Sequence, residues 1–76
     1  MDSITNTVDT RGQSCPGPLV ALGKELRNAR RGDVLELLAT DPGSKSDVPS
    51  WARLSGNEIL AASENDGLFR YLIRKA

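Results

Sequence analysis

The sequence predicts an α/β (α+β) two-layer sandwich, in which one mixed four-stranded sheet carries two helices on one face. This prediction depends on the order of the periodic segments and on the length of the chain. Strand-like alternation and helix-like spacing of apolar residues follow one another as β-α-β-α-β-β, with turn residues between them. A chain of 76 residues without repeat or linker is expected to form one domain, residues 1–76. The initial β-α-β unit predicts that the first two strands are parallel.

The first half of the chain contains a strand, a helix and a second strand. Residues 4–9 alternate apolar and polar side chains, which predicts a strand that ends before Gly12. Over residues 16–30 the leucines recur at helical spacing, charged residues occupy the other positions, and Gly32 follows. Residues 34–39 are almost entirely apolar, so they predict a central strand.

A second, shorter helix is predicted up to Gly56. Asp47 is the predicted N-cap, with Ser44 as an alternative, and Pro49 then falls in the first turn, where a missing N–H is tolerated. Trp51 is expected to face the core; a partly exposed Trp51, able to anchor a partner, is the alternative. The neighbours expected to face inward with it are Val48, Ala52 and Leu54.

The remaining segments predict a β-hairpin. Residues 58–63 and Leu68–Arg74 flank Asn65-Asp66-Gly67, a turn sequence with glycine where a positive φ is favoured. Strand alternation places one set of side chains toward the core, namely Phe69, Tyr71 and Ile73, opposite Arg70 and Arg74.

Charge and composition limit the classes of partner and compartment. Ten basic and ten acidic residues give zero formal charge, which argues against a general electrostatic attraction to nucleic acid or to an anionic membrane. No apolar run approaches the roughly 20 residues of a membrane span, and the first residues lack the pattern of a signal peptide. A single cysteine fits a reducing compartment. The expected location is therefore the cytoplasm.

The only cysteine is Cys15, in the segment Arg11-Gly12-Gln13-Ser14-Cys15-Pro16-Gly17-Pro18 before the first predicted helix. The sequence has no histidine, which excludes Cys-His and Ser-His-Asp catalytic sites and argues against a structural zinc site. A glycine-rich phosphate loop is absent as well, so no cofactor or metal is predicted. The chemistry that remains is attack of a thiolate on sulfur and thiol exchange.

The surroundings of Cys15 govern how reactive its thiol is. Pro16 and Pro18 suit a first helical turn, so they place the start of the helix at the cysteine. The positive end of the helix dipole stabilises a thiolate there by about 0.3–1 kcal/mol, which lowers the pKa of Cys15 by about 0.2–0.7 from its usual value of about 8.5. Arg11 is the nearest cation that can stabilise the thiolate further. The alternative is a Cys15 that packs as a small buried apolar residue.

The segment Val8-Asp9-Thr10-Arg11-Gly12-Gln13-Ser14-Cys15-Pro16-Gly17-Pro18-Leu19 resembles the Cys-Pro-x-Pro signature of the TusA/SirA-like sulfur carriers, a family of β-α-β-α-β-β proteins. Further blocks are similar to that family in order and spacing, so the resemblance covers essentially the whole chain. The variable position of the motif is Gly17 here, whereas some members have an acidic residue. The further blocks are Gly32-Asp33, Ala39-Thr40-Asp41-Pro42-Gly43-Ser44, Asp47-Val48-Pro49 with Trp51, Gly56-Asn57-Glu58 and residues 69–75.

The resemblance implies that Cys15 is the nucleophile that carries sulfane sulfur as a persulfide, and that Pro16, Gly17 and Pro18 shape its turn. It implies a sulfur donor protein, of the cysteine desulfurase or rhodanese type, and a downstream thiol acceptor protein. Family members serve tRNA thiolation, molybdenum-cofactor synthesis or sulfur oxidation. The expected protein is a monomeric sulfurtransferase, on the border between enzyme and carrier, with neither nucleic acid nor membrane as a direct partner.

Two further groups of residues are candidates for contact with a partner or with the cysteine. Asp47 is a candidate to line the Cys15 turn, in addition to its predicted capping role. A group of basic residues is a candidate docking patch for an acidic partner, and a solvated charged face is the alternative. These residues are Lys24, Arg27, Arg30 and Arg31, together with Arg70, Arg74 and Lys75.

The alternative function is a small nucleic-acid-binding or regulatory interaction module with a non-catalytic cysteine, because small two-layer α/β domains often bind RNA. Zero net charge and only three aromatic residues, one each of Trp, Tyr and Phe, argue against it. A third possibility is a selenium-carrying or thiol-redox variant of the same scaffold. The chalcogen or oxidant that Cys15 accepts would separate this variant from the sulfur carrier.

Overall fold

The computed structural model describes residues 4–14 and 16–76, and the elements in this part of the chain follow the predicted order. Cys15 lies outside the described residues. The elements are β1 (Asn6–Thr10), α1 (Gly17–Asn28), β2 (Val34–Ala39), α2 (Ser44–Ser55), β3 (Glu58–Asn65) and β4 (Leu68–Arg74).

The four strands form one mixed sheet in the order β1-β2-β4-β3. Strand β1 is parallel to β2, while β4 pairs antiparallel with both β2 and β3, so the predicted parallel pair and the inner position of β2 are confirmed. Because β1 and β2 are parallel, their C-terminal ends lie at the same edge of the sheet. Each helix follows one of these two strands, so both helices start at that edge.

The core lies between one face of the sheet and both helices. Leu35 and Leu37 of β2 pair with Ile73 and Tyr71 of β4, and all four side chains are buried on this face. The helices contribute side chains to the same buried cluster, namely Leu22 and Leu26 from α1 and Val48 from α2. This arrangement confirms the two-layer prediction with both helices on one face. Burial of these apolar side chains is the main force that stabilises the domain.

The other face of the sheet has no helix over it and carries paired charges. Glu36 accepts hydrogen bonds from Arg70 and from the Thr7 hydroxyl, the latter at 2.9 Å. Arg74 pairs in the same way with Glu58 on the neighbouring strand. The hydrogen bond from Arg70, and then that from Thr7, holds the pKa of Glu36 below its ordinary value.

Helix α2 begins at Ser44, so the prediction of Asp47 as its N-cap is wrong. Gly43 occupies the N-cap position, and Ser44 is a buried helical residue whose hydroxyl lies 2.9 Å from the Tyr71 hydroxyl. This buried hydrogen bond favours a start one turn earlier. The prediction that Pro49 lies in the first turn fails for the same reason, because Pro49 is inside the helix.

The prediction that Leu54 faces the core is wrong as well. Val48 and Ala52 are buried as predicted and define the inner face of α2, whereas Leu54 is 88% exposed. At about 100° per residue, Leu54 lies roughly 200° around the helix from Ala52. Trp51 lies between these directions, half-buried and packed against the core.

Other boundaries differ by one or two residues. Strand β1 runs over Asn6–Thr10 rather than residues 4–9, and α1 ends at Asn28 rather than at residue 30. The hairpin is confirmed, but β3 extends to Asn65 rather than ending at residue 63, so the turn has only two residues, Asp66 and Gly67, with φ of 52° and 81°. These positive angles are those of a type I′ turn, which explains the Asp-Gly pair.

Candidate functional site

The loop between β1 and α1 contains the Cys15 position, and backbone hydrogen bonds hold it on both sides. The amide of Gln13 donates to the Thr10 carbonyl at 3.1 Å, and the amide of Gly17 donates to the Ser14 carbonyl at 2.8 Å. Gly12 has a φ of +83°, and its amide donates to the Thr40 hydroxyl at 2.8 Å. Short-range hydrogen bonds therefore hold the loop before and after the Cys15 position, and Gly12 is bonded to Thr40, the residue that follows β2.

The two prolines of the motif mark the start of α1. Pro16 occupies the N-cap position, and its carbonyl accepts from the Val20 amide at 2.9 Å. Pro18 is buried in the first turn, where its missing N–H removes no helical hydrogen bond. The prediction that the helix starts beside Cys15 is confirmed to this extent: the first helical residue is Gly17.

Gly17, the variable residue of the motif, is covered by the Gln13 side chain. A Cβ built on Gly17 would lie 2.8 Å from Gln13 Oε1 and 3.3 Å from Gln13 Cβ, both too close for an undisturbed side chain. The glutamine therefore occupies the space that a side chain at position 17 would need. Sequence reasoning missed Gln13; the coincidence of a long polar residue with a glycine four positions later was the available signal.

Arg11 lies at the start of the loop and is paired with Asp9. Its guanidinium Nε donates to Asp9 Oδ1 at 2.9 Å and Nη2 donates to Oδ2 at 2.7 Å. The side-chain hydrogen bond is the main cause that raises the pKa of Arg11 and lowers that of Asp9. Both groups are exposed. The stabilisation of a Cys15 thiolate by Arg11 stays a prediction, since Cys15 lies outside the described residues.

A narrow crevice joins the starts of the two helices. It is lined by Pro18 and Leu19 from α1 and by Ser44, Asp47 and Asp41 from α2 and the loop before it. Asp47 therefore does lie beside the residues that follow Cys15. Sequence reasoning did not select Asp41, although its place after the parallel strand β2 puts it at the same edge.

The basic residues do not form one patch. Arg70 and Arg74 lie on the open face of the sheet and pair with carboxylates there. Lys24 and Arg27 belong to α1, and Arg30 and Arg31 lie in the loop that follows it. Lys75 joins the helix side, since its Nζ donates to the Leu26 carbonyl at 2.7 Å. Docking by Lys24, Arg27 and Arg31 stays a prediction, now without Arg70 and Arg74.

A groove of about 520 Å³ runs between α1 and α2. Its lining combines apolar side chains from both helices with the basic side chains of Arg27 and Lys75. Sequence reasoning missed the groove because it depends on how the helices lie against each other. The lining residues on α1 are Leu19, Val20, Gly23 and Leu26, and Trp51 faces them from α2.

The described residues include neither a metal-binding cluster nor a membrane-spanning helix. Within residues 4–14 and 16–76, no three acidic side chains come close enough together to hold a metal ion. In the same ranges, neither helix has the length and apolar character needed to cross a membrane. The candidate site stays the Cys15 loop, with the crevice and the groove beside it.

Comparison with known proteins is consistent over nearly the whole chain. The family model described as sulfurtransferase TusA matches residues 6–75. A protein of Halobacterium salinarum named as a candidate sulfur carrier is 40% identical over 73 residues, which is 95% of this chain and 90% of that protein. The sulfur carrier protein TusA of Pseudomonas putida strain F1 is 38% identical over 68 residues, which is 90% of this chain and 85% of that protein.

A solved structure has the same fold. The crystal structure of the SirA-like protein of Desulfitobacterium hafniense superposes with a TM-score of 0.80 at 27% sequence identity. The alignment covers 91% of this chain and 95% of that one.

Proposed function

We propose that this chain, which belongs to the sulfurtransferase TusA family, is a sulfur carrier. Its Cys15 accepts sulfane sulfur as a persulfide and passes it to a partner protein. The observation that supports this most directly is the family match over residues 6–75, because that range includes the entire Cys15 loop. Relatives that match over most of their length are named as sulfur carriers.

The transfer consists of two exchanges at sulfur. In the first, the Cys15 thiolate attacks the terminal sulfur of a donor persulfide; a new S–S bond forms, the donor S–S bond breaks, and the donor leaves as a thiolate. In the second, an acceptor thiolate attacks the terminal sulfur on Cys15, and Cys15 leaves as a thiolate. One sulfur atom moves in each step, and neither step needs an external oxidant or reductant.

The described part of the loop suits such a transfer. Ser14 and Pro16, the neighbours of Cys15, are both exposed, which supports access by a partner's cysteine. The turns that end at Gln13 and begin at Ser14 hold the backbone on either side. The start of α1 directs its dipole toward the loop, which favours a thiolate or a persulfide anion. The loop therefore supplies access and a favourable field, without a side-chain base among its described residues.

The donor is a cysteine desulfurase or a rhodanese-type protein, and the acceptor is a protein thiol in tRNA thiolation, molybdenum-cofactor synthesis or sulfur oxidation. The protein acts as a sulfurtransferase only together with these partners, because it is itself loaded and unloaded in each cycle. A free thiol that must stay reduced fits the cytoplasm.

Intact-protein mass spectrometry tests the proposal. The purified protein is incubated with a cysteine desulfurase and cysteine, or with a rhodanese and thiosulfate, and its mass is measured before and after a reductant. We expect a gain of one sulfur atom that the reductant removes. Cys15→Ser should keep the fold and gain nothing.

A matched control moves the thiol by one position. The double variant Ser14→Cys/Cys15→Ser keeps one thiol in the same loop with the same composition, and we expect it to load much more slowly. No mass gain in the wild type with either donor, while Cys15 is readily alkylated, would contradict the carrier function. RNA binding that persists in Cys15→Ala would then favour the binding-module alternative.

A further inference from the structure

Gly23 lines the groove between α1 and α2 and has no side chain to fill the space there. Gly23 is the seventh residue of the twelve-residue helix α1, and glycine in a helix interior is about 1 kcal/mol less favourable than alanine. A Cβ at Gly23 would lie 3.6 Å from Trp51 Cζ2 and 3.9 Å from Arg27 Nη1, which are ordinary contact distances. The packing of this chain therefore does not require a glycine there.

The missing side chain leaves the edge of the Trp51 indole accessible from the groove. Trp51 is half-buried and packs on the core with its other side. Val20, one turn before Gly23, lines the same groove and is 64% exposed. Together these residues form an apolar socket, defined here as Val20, Gly23 and Trp51. A socket of this kind accepts one apolar side chain of a partner.

Two basic side chains lie beside the socket, those of Arg27 and Lys75, and Lys75 also donates to the Leu26 carbonyl. Arg11, Arg70 and Arg74 each pair with a carboxylate, whereas Arg27 has no carboxylate partner in residues 4–14 and 16–76. Among residues 4–14 and 16–76, no acidic side chain lines the groove, whose lining includes Lys75 and the following residue, Ala76. The groove is therefore complementary to a negatively charged segment.

The groove lies near the Cys15 loop. Leu19 lines both the groove and the crevice at the helix starts, so the two depressions are neighbours. From Leu19 to Arg27 the helix rises about 12 Å, which is the length of a few extended residues. A segment bound in the groove would hold the rest of its protein close to the loop.

We infer that the groove is the docking site for an acidic segment with one apolar anchor, which belongs to the protein that exchanges sulfur with Cys15. The anchor fills the socket over Gly23, and the acidic residues face Arg27 and Lys75. This inference extends the proposed function and rests on it for the identity of the partner. The docking itself does not depend on sulfur transfer.

The single tryptophan of the chain provides a direct readout. The probe is a synthetic twelve-residue peptide with a central leucine flanked by glutamates, compared with a twin in which lysines replace the glutamates. The acidic peptide should shift the Trp51 emission saturably and bind more weakly as salt is added. The lysine peptide should not.

Three variants separate docking from folding. Gly23→Ala fills the socket, and it should weaken acidic-peptide binding on the order of tenfold while the helix becomes more stable. Arg27→Gln should weaken binding about threefold, as expected for one exposed ion pair. Arg53→Gln is the matched control, because it makes the same change on the other helix, α2, at a position that does not line the groove, and its effect should be smaller than twofold.

The competing occupants give different results. Equal binding of the two peptides, unchanged binding by Gly23→Ala, or equal losses in Arg27→Gln and Arg53→Gln would overturn the inference. A dimer in sedimentation that Gly23→Ala disrupts would assign the groove to a second copy of the chain. A larger emission shift with an RNA oligonucleotide than with the acidic peptide would assign it to nucleic acid.

Sulfur loading provides an independent second measurement. With a competent donor, Gly23→Ala and Arg27→Gln should raise the carrier concentration needed for half-maximal loading and leave the maximal rate unchanged. Peptide binding without any loading of Cys15 would refute the proposed function and leave the docking site standing. Normal loading of Cys15 in both variants would refute the docking site and leave the proposed function standing.

Discussion

The buried hydrogen bond between Ser44 and Tyr71 is expected to stabilise the start of α2 against the sheet. Ser44 is 3% exposed and Tyr71 is 2% exposed, and their hydroxyl oxygens lie 2.9 Å apart. Removal of one hydroxyl leaves the other buried without this partner, which costs about 1–3 kcal/mol. We therefore expect Tyr71→Phe and Ser44→Ala each to lower the free energy of unfolding by that amount.

This loss is large for a small domain. A chain of this length is expected to have a free energy of unfolding of roughly 4–11 kcal/mol. The double variant Ser44→Ala/Tyr71→Phe removes both polar groups, so its loss should be smaller than the sum of the single losses by about 1 kcal/mol. Urea unfolding followed by the Trp51 emission measures all four proteins. Strictly additive losses, or single losses below a few tenths of a kcal/mol, would refute this reasoning.

The same pair predicts the stability at alkaline pH. Burial raises the pKa of Tyr71 above its ordinary value, because the phenolate is less well solvated than in water. The folded protein therefore holds this proton more tightly than the unfolded chain. The contribution of protonated Tyr71 to the free energy of unfolding is complete below about pH 10 and is lost as the pH rises through the folded pKa. Stability should fall less steeply in this range in Tyr71→Phe than in the wild type.

Three other perturbations have clear expected outcomes. The pKa of Glu36 is lower in the folded protein than in the unfolded chain, so ionised Glu36 stabilises the fold. This stabilisation is complete above the unfolded pKa of about 4.3 and is lost as the pH falls through the folded pKa. In urea unfolding, the stability of Glu36→Gln should therefore fall less steeply at acid pH than that of the wild type. Gly56 ends α2 with a φ of 80°, so Gly56→Ala should lower the free energy of unfolding by about 1–2 kcal/mol, and an unchanged urea midpoint would contradict this. Removal of one partner of the Asp9–Arg11 pair leaves the other charge unpaired near the loop, where a positive charge favours the Cys15 thiolate and a negative charge disfavours it. Asp9→Asn should therefore speed the alkylation of Cys15 at pH 7, and Arg11→Gln should slow it. Equal rates would show that the pair does not act on the thiol.

The strands of the second half were predictable because their signals are local. Leu68–Arg74 alternates aromatic or β-branched residues with arginines, and the observed strand has the predicted bounds. Asp66-Gly67 can adopt positive φ at both positions, which defines a two-residue hairpin turn. These preferences act over a few residues, so the sequence alone reveals them.

The start of α2 was not predictable because it depends on a distant contact. Ser44 and Tyr71 are 27 positions apart, and their hydrogen bond favours helix at a place where a local pattern predicts a cap. The exposure of Leu54 was not predictable for a similar reason, because it depends on which face of α2 packs against the core. Once Val48 and Ala52 define the buried face, a leucine two positions later points to solvent.

The candidate site was predictable in its position and not in its contacts. The place of Cys15 between a strand and a proline-marked helix indicates the loop. The hydrogen bond from Gly12 to Thr40 and the packing of Gln13 on Gly17 arise only when the chain is folded. The Asp9–Arg11 pair spans two positions and was accessible from the sequence, since a carboxylate so close to an arginine competes for its charge.

The electrostatics of the helix starts favour a moderately activated thiol rather than a strongly acidic one. Two helix dipoles point toward the edge that carries the Cys15 loop, which stabilises an anion there. Asp41 and Asp47 line the crevice at the same edge and oppose that effect. This balance suits the proposed carrier function, in which Cys15 attacks sulfur in the first step and leaves in the second. A lower pKa improves departure and weakens attack, so the most useful attacking thiol has a pKa near the ambient pH.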